Sequence, residues 1–464
     1  MKTIKLLPTL LLICLGTSLW AQNGGISPQM LSKIKQAYQD TPSDRALRNA
    51  ITHNDINDLV INQANEANVS TYISDVVQSK GITNQLSSGR CWLFSGLNVL
   101  RAKTIEKFDM GTFEFSQNYV FFWDQLEKAN LFLQGMIDTR NLPHTDRKVE
   151  WLFRNAIGDG GQFTGVTDLI LKYGLVPKDV MPETYSSNNT SRMSMLLNLK
   201  LREFGLELRE AGAAKKSETA LQQRKEEMLG FIYRFLVLNL GEPPTQFTWT
   251  RTNAQGKPVD TKEYTPMSFY KEYVSQDLAN GYVLLMNDPT RDYYKTYEIE
   301  FDRHMYDGHN WVYLNLPVED IKKMAIASIK DNNMMYFSCD VGKFSNRSTG
   351  MLDINSFDYG SLMGTTFGMD KRQRILTGSS GSSHAMTLNG VNLTADGIPT
   401  LWMVENSWCM TGQKGHMIMT DQWFNEYMFR LVVEKKYLSP DLTALLNQKP
   451  TMLPPWDPMF AQEE

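Results

Sequence analysis

The chain is poor in cysteine, with four in 464 residues, at positions 14, 91, 339 and 409. That is too few for a disulfide scaffold. Neither sign of charge dominates: 47 Lys and Arg face 51 Asp and Glu, a formal charge of −4. A strongly basic nucleic-acid glove is thereby excluded, although a local basic channel is not. There is no internal repeat, no low-complexity tract, no Gly-x-Gly-x-x-Gly and no phosphate-loop pattern. The six His show no metal-ligand spacing; His304 and His309 lie five apart with no Cys or carboxylate pattern to complete a site. The expectation is a chain with no metal and no cofactor, in which His53, His144, His304, His309 and His416 are structural or surface residues.

What is present belongs to a folded soluble protein: 42% hydrophobic, 11% aromatic and 21% charged residues, with 10 Trp, 22 Phe and 25 Met. The length implies about two to four units of structure. Residues 1–21 carry Lys2 and Lys5, then an apolar run, then Ala21 as a small residue for cleavage. This is the pattern of a secretory signal peptide. An N-terminal membrane anchor is the competing reading, and the apolar run is short for it. Losing the leader leaves 45 basic against 51 acidic residues, a charge of −6. No other segment is long and apolar enough to span a bilayer, so the expected mature chain is exported, periplasmic or secreted, without an integral membrane segment. Cys91, Cys339 and Cys409 remain, an odd number, which leaves at least one unpaired thiol.

Along the chain, residues 22–70 read as a polar N-terminal arm. Leu93, Leu97 and Leu100 mark one face of a helix from Cys91 to about Phe108, preceded by a Ser87-Ser88-Gly89 turn. A second buried helix is expected over 116–136, and a third from Phe163 to Tyr173, stopped by Gly174. Residues 71–190 thus form a helical lobe. Residues 191–325 read as a mainly helical, charged insertion. After about residue 333 short apolar runs punctuated by Gly, Asn and Asp predict strands: Met335–Cys339, Ala385–Val391, Leu401–Glu405, His416–Thr420 and Leu431–Glu434. Residues 326–445 therefore form a β-rich lobe. The prolines at 450, 454, 455 and 458 deny a regular helix to the C-terminal arm, 446–464. A helical part followed by a stranded part is an α+β, two-lobe pattern.

Cys91 stands at the expected helix start, where unpaired N–H groups and the helix dipole favour a thiolate. Gln85, six residues earlier, could offer its amide to an oxyanion beside the sulfur. A thiolate nucleophile needs a base, and the base an orienter. His384 opens a predicted strand, and Asn406 ends the next, 22 residues on. Adjacent strands can bring the two together, so that the Asn oxygen sets the imidazole's orientation and tautomer. Trp408 could cover that hydrogen bond. Cys339, inside a strand, reads as core.

These residues carry a resemblance. Gln85-Leu86-Ser87-Ser88-Gly89-Arg90-Cys91-Trp92, Ser383-His384-Ala385-Met386 and Val404-Glu405-Asn406-Ser407-Trp408 resemble the papain-like cysteine peptidases, within them the bleomycin hydrolase and aminopeptidase C branch. Thr245-Gln246-Phe247-Thr248-Trp249, Cys339-Asp340-Val341-Gly342-Lys343 and Leu453-Pro454-Pro455-Trp456-Asp457-Pro458-Met459 are similar to that branch too. The resemblance runs from about residue 70 to the C-terminus. It implies a papain-like fold with a large helical insertion and a C-terminal arm. It implies Cys91 as nucleophile, His384 as base, Asn406 as orienter and Gln85 as oxyanion donor. Gly158-Asp159-Gly160-Gly161 resembles the stretch that lies along a bound peptide, with Gly160 and Gly161 as the contact positions. It further implies an arm whose terminal carboxylate, here at Glu464, anchors a substrate's amine, a homohexamer, and peptide substrates. Some members bind nucleic acid through a basic channel; the charge of −6 argues against that here.

Two departures stand out. Papain-like enzymes usually carry Gly after Asn-Ser-Trp, where this chain has Cys409; a glycine at positive φ would make Cys a strained replacement. Typical members of the branch are intracellular, whereas this chain begins with a leader pattern. The leading reading is a thiol aminopeptidase. An endopeptidase or dipeptidyl-releasing variant, and a catalytically silent peptide-binding scaffold, are the alternatives.

Overall fold

The structure, a computed structural model, describes residues 24–67 and 70–459. The expected leader, 1–21, and Glu464 lie outside the described residues. The chain divides into two units, one up to Val60 and one from Ile61 onward. In the first unit, Ser27, Thr41 and Asp55 each cap a helix with a side-chain oxygen, starting Pro28–Ala37, Pro42–Ile51 and Ile56–Leu59. None of these helices buries a residue. Up to Leu59 the arm is thus helical, each helix started by a local cap.

The second unit holds two large apolar cores and a small third one at Met351, Leu401 and Ile418. The first gathers the helices Cys91–Phe108, Gln117–Asp138, Phe163–Tyr173, Thr190–Ala213 and Glu218–Leu240. Ser116 starts the Gln117–Asp138 helix by accepting the Tyr119 N–H at 3.0 Å. Gly174 stops the Phe163–Tyr173 helix at φ 75°, with the Pro266 carbonyl carbon 2.4 Å from where a Cβ would stand. No other residue fits there. The second core lies between the sheet and the helices Val318–Lys330 and Asp421–Tyr427.

The sheet has twelve strands among the described residues. Its order is Thr451–Leu453, Lys295–Ile299, Val312–Asn315, Tyr282–Met286, Met428–Glu434, Met335–Cys339, His384–Leu393, Pro399–Glu405, His416–Thr420, Met351–Leu352 and Ser345–Asn346, with Asp75–Val76 added on His384–Leu393. The strands expected after residue 333 are all present. Between 191 and 325 helix outweighs strand, but the stretch also carries strands that its charge pattern does not announce. Two long helices end at Leu240, and five strands follow before residue 316. Phe247–Thr252 and Pro258–Tyr264 form a separate antiparallel hairpin, and the other three join the main sheet. Their reason is packing: Leu285 and Ile299 are fully buried on the sheet, a tertiary demand that outweighs local charge.

One ion pair ties the first core to the second. Arg101, on the Cys91–Phe108 helix, donates to Glu405 Oε1 at 2.8 Å, with both side chains at most 2% exposed. Arg101 also reaches the Gly81 carbonyl at 2.9 Å, and Ser79 donates to the other Glu405 oxygen. Removing one partner of such a pair strands the other charge in a dry interior. Arg101→Met is therefore expected to cost about 3–5 kcal/mol, measured as a loss of urea-unfolding free energy. A loss below about 1 kcal/mol would show that water reaches Glu405.

Candidate active site

Cys91 is the first residue of its helix, and it is fully buried. Arg90, the N-cap, supplies no side-chain cap, and the first turn carries no acid. The helix N-terminus thus keeps its positive end for the sulfur. The Ala385 N–H donates to Cys91 Sγ at 3.4 Å, which joins the helix to the strand that His384 opens. His384 Nε2 meets Asn406 Oδ1 at 2.9 Å. With the amide oxygen as acceptor, Nε2 carries the proton and Nδ1 is the basic nitrogen. The orientation of Asn406 is held from both ends. Its oxygen also accepts the Ser407 N–H at 2.8 Å, and its nitrogen faces Met417 Sδ at 3.5 Å. Trp408 stacks on the His384 ring, with centroids 4.6 Å apart and planes inclined by 30°.

Gln85 lies beside this group. Its amide oxygen accepts from Ser407 Oγ at 2.6 Å, and its backbone N–H donates to the Ser407 carbonyl at 2.9 Å. Its amide nitrogen donates one N–H to the Ser88 carbonyl at 2.7 Å; an amide has a second. Sequence-distant Cys91, His384, Asn406, Gln85 and Trp408 are thereby brought together.

Gly160 and Gly161 lie in the loop that packs on Trp92, the residue after Cys91. Trp92 Nε1 donates to the Asp159 carbonyl at 2.8 Å, and the Asp159 carboxylate accepts the Gly89 N–H at 2.7 Å and the Thr190 hydroxyl. At Gly161 a Cβ would stand 2.2 Å from His304 Cε1 and 2.8 Å from Trp92 Cδ2, so only glycine allows this approach. His304 is not a surface residue. It is buried, bridging Asp124 Oδ1 at 2.5 Å and the Gln162 side-chain oxygen. Lys128 completes the cluster, 2.9 Å from Asp124 Oδ2. Burial alone would push the Asp124 carboxyl up; Lys128 and His304 outweigh it and hold Asp124 below its usual range. One signal pointed to this cluster. Asp124 and Lys128 are charges four apart on one side of a Phe- and Leu-rich helix, where neither belongs unless paired.

A cavity of about 360 Å³ opens beside Trp408, lined by Arg347, Gly350, Thr411, Gly412 and Met417. Two others, of about 300 and 500 Å³, lie at the far end of the Cys91 helix around Lys103, Gln276, Tyr282 and Glu434. Neither is lined by Cys91, His384, Asn406, Gln85 or Trp408.

The arrangement suits one kind of chemistry: a thiol at a helix N-terminus, hydrogen-bonded to the residue after an imidazole that an amide orients, is a set of groups capable of nucleophilic attack on a carbonyl. The model of the Peptidase C1-like family matches residues 25–460. The chain belongs to the Peptidase C1-like family. It is 37% identical to bleomycin hydrolase of Mus musculus over 454 residues, covering 95% of this chain and all of that one. It is 38% identical to aminopeptidase C of Listeria monocytogenes serovar 1/2a over 434 residues, covering 93% and 97%. The crystal structure of PepW from Lactobacillus rhamnosis HN001 superposes with a TM-score of 0.91 at 38% identity, over 94% of this chain and 99% of that one. The α+β, papain-like expectation is therefore met.

The departure from the usual C1-like pattern has a structural counterpart. Cys409 stands at φ 57°, in the left-handed region, and is exposed. A non-glycine residue there costs about 1–2 kcal/mol, against roughly 0.5–1 kcal/mol for glycine's extra chain entropy. Cys409→Gly is expected to raise stability by about 0.5–1 kcal/mol, read as a higher urea midpoint. An unchanged or lower midpoint would show that Cys409 makes compensating contacts.

Proposed function

We propose that the protein is an exported thiol aminopeptidase that removes N-terminal residues from peptides through an acyl-enzyme on Cys91. The observation that carries the chemistry is the junction of Cys91 Sγ with the Ala385 N–H, one residue from a His384 already oriented by Asn406. In this reading His384 takes the thiol proton and Cys91 attacks the scissile carbonyl. The carbonyl oxygen becomes an oxyanion at the Gln85 amide and the helix N-terminus. His384 then protonates the leaving amine, and water attacks the thioester to release the residue. Asn406 only orients, because its amide has no useful pKa near neutrality. Gly160 and Gly161 lie along the peptide, and Trp408 shields the His384–Asn406 bond.

The names of the relatives, aminopeptidase C and bleomycin hydrolase, support the exopeptidase assignment. The acidic end at Glu464 would supply the carboxylate that pairs with a substrate's α-amine, which is cationic near neutral pH. The leader pattern supports export. The charged helices Thr190–Ala213 and Glu218–Leu240, larger than a peptidase lobe requires, support a closed oligomer, which we assign as a homohexamer. No helix among the described residues is long and apolar enough to cross a membrane.

Cys91→Ala should abolish turnover with the fold intact, and Asn406→Ala should lower kcat less than His384→Ala. Equal, total loss in well-folded Asn406 and His384 variants would refute the division of roles. For specificity, one peptide with a free and an acetylated N-terminus is assayed on the full chain and on a form lacking residues 460–464. The full chain should cleave the free form, and the truncated form should lose that preference and cut internally. The same preference in both forms would make the tail a bystander. A monomeric mass by light scattering over a range of salt and concentration would refute the hexamer.

A further inference from the structure

The loop 158–161 has its carbonyls taken up from within. Lys128 Nζ donates to the Gly160 carbonyl at 2.6 Å and lies 3.3 Å from the Gly158 carbonyl, which also accepts from Gln125 at 2.9 Å. Trp92 holds the carbonyl between them. Lys128 is itself fixed by Asp124 at 2.9 Å and lies 5.3 Å over the Trp92 ring, with its side chain 6% exposed. On the same inner side His304 fills the space where a Gly161 side chain would stand. The chain has no cis peptide among the described residues. Across a trans peptide the C=O and N–H point in opposite directions. A Gly160 carbonyl drawn toward Lys128 therefore turns the Gly161 N–H to the side away from Lys128.

We propose that Lys128, clamped by Asp124, is a positioning residue for the bound peptide. It holds the Gly160–Gly161 peptide unit so that its N–H faces the cleft and meets the carbonyl of an extended occupant. The inference rests on the reading that peptides lie along Gly160 and Gly161. Nothing in the thiol chemistry uses Lys128. Its ammonium acts on substrate only through the orientation of one peptide plane, where a small rotation weakens the hydrogen bond to the substrate.

The test compares the full chain with Lys128→Met, which keeps the stem and removes the donors, and Lys128→Gln, which keeps an N–H donor on a shorter stem. KM and kcat are measured on whichever peptide the unaltered protein cleaves best, free or acetylated. The rate of Cys91 alkylation by iodoacetamide, a reagent too small to need the loop, is measured alongside. KM should rise about tenfold in Lys128→Met with kcat within about twofold, because binding rather than chemistry is lost. Lys128→Gln should recover part of that rise, and alkylation should stay within about twofold of the unaltered protein in both. An unaltered KM in Lys128→Met overturns the proposal. So does an alkylation rate that falls together with kcat/KM, because the cluster would then support Cys91 and not the loop. If Lys128→Met does not fold, Lys128→Gln decides on the same comparison. A protein that prefers acetylated peptides would defeat the aminopeptidase reading and leave this test in force.

Discussion

The constraint on which the site depends is the buried pair between Arg101 and Glu405. Glu405 is the last residue of its strand, and Asn406 is the next. Arg101 lies ten residues beyond Cys91 on the same helix, about 15 Å along its axis. A charge pair with almost no exposure has one low-energy arrangement, because any slip leaves a carboxylate or guanidinium without its partner in a dry place. The helix that carries the thiol is thus locked in register to the strand that carries the amide. Neighbouring bonds repeat the lock with neutral groups. Asn98 donates to Thr83 Oγ1 at 3.0 Å, and the Cys409 N–H reaches the Thr83 carbonyl at 3.3 Å. The geometry around Cys91 thus rests on rigid elements as well as on its own contact with Ala385.

The same logic extends to the loop on the other side of Trp92. Asp159 holds the Gly89 N–H, two residues before Cys91, and Trp92 holds the Asp159 carbonyl. Segments 85–91, 158–162 and 384–409 therefore share polar groups, and each fixes the next. Buried polar networks are costly when incomplete and stiff when complete. Their concentration behind the thiol fits a site that must hold a reacting carbonyl within a fraction of an ångström.

Much of this was legible from sequence, for local reasons. The helix from Cys91 announces itself through a turn and a leucine stripe, and the two strands of His384 and Asn406 through short apolar runs between breakers. What was not legible depended on partners far apart in the chain. His304 has no informative neighbours, since Asp124 is 180 residues away and Gln162 is 142. Nothing local separates such a histidine from a surface one. The strands between 247 and 315 are a different case. Phe247–Thr252 sets Phe247 and Trp249 among threonines at 248, 250 and 252, a run of aromatic and β-branched residues that is a strand signal. The long charged helices before it masked that change of period. Cys409 shows the reverse: the missing glycine was visible in the sequence, and its positive φ is what the backbone of that turn imposes.

The C-terminal arm is held at its last described residues by polar and ring contacts. Three arginines fix its last described residues. Arg147 lies 4.3 Å over the Trp456 ring, Arg291 pairs with Asp457 at 2.5 Å, and Arg430 donates to the Met459 carbonyl at 2.7 Å. Arg430 stands opposite Ser338, and Ser338 stands opposite Ala385, whose N–H faces Cys91 Sγ. Two strand spacings separate Arg430 from Ala385, roughly 10 Å. The last described residue of the arm is thus fastened by a buried guanidinium to a strand two places from the one that His384 opens. A buried guanidinium left without acceptors is costly, so this contact fixes the arm against the sheet at Met459.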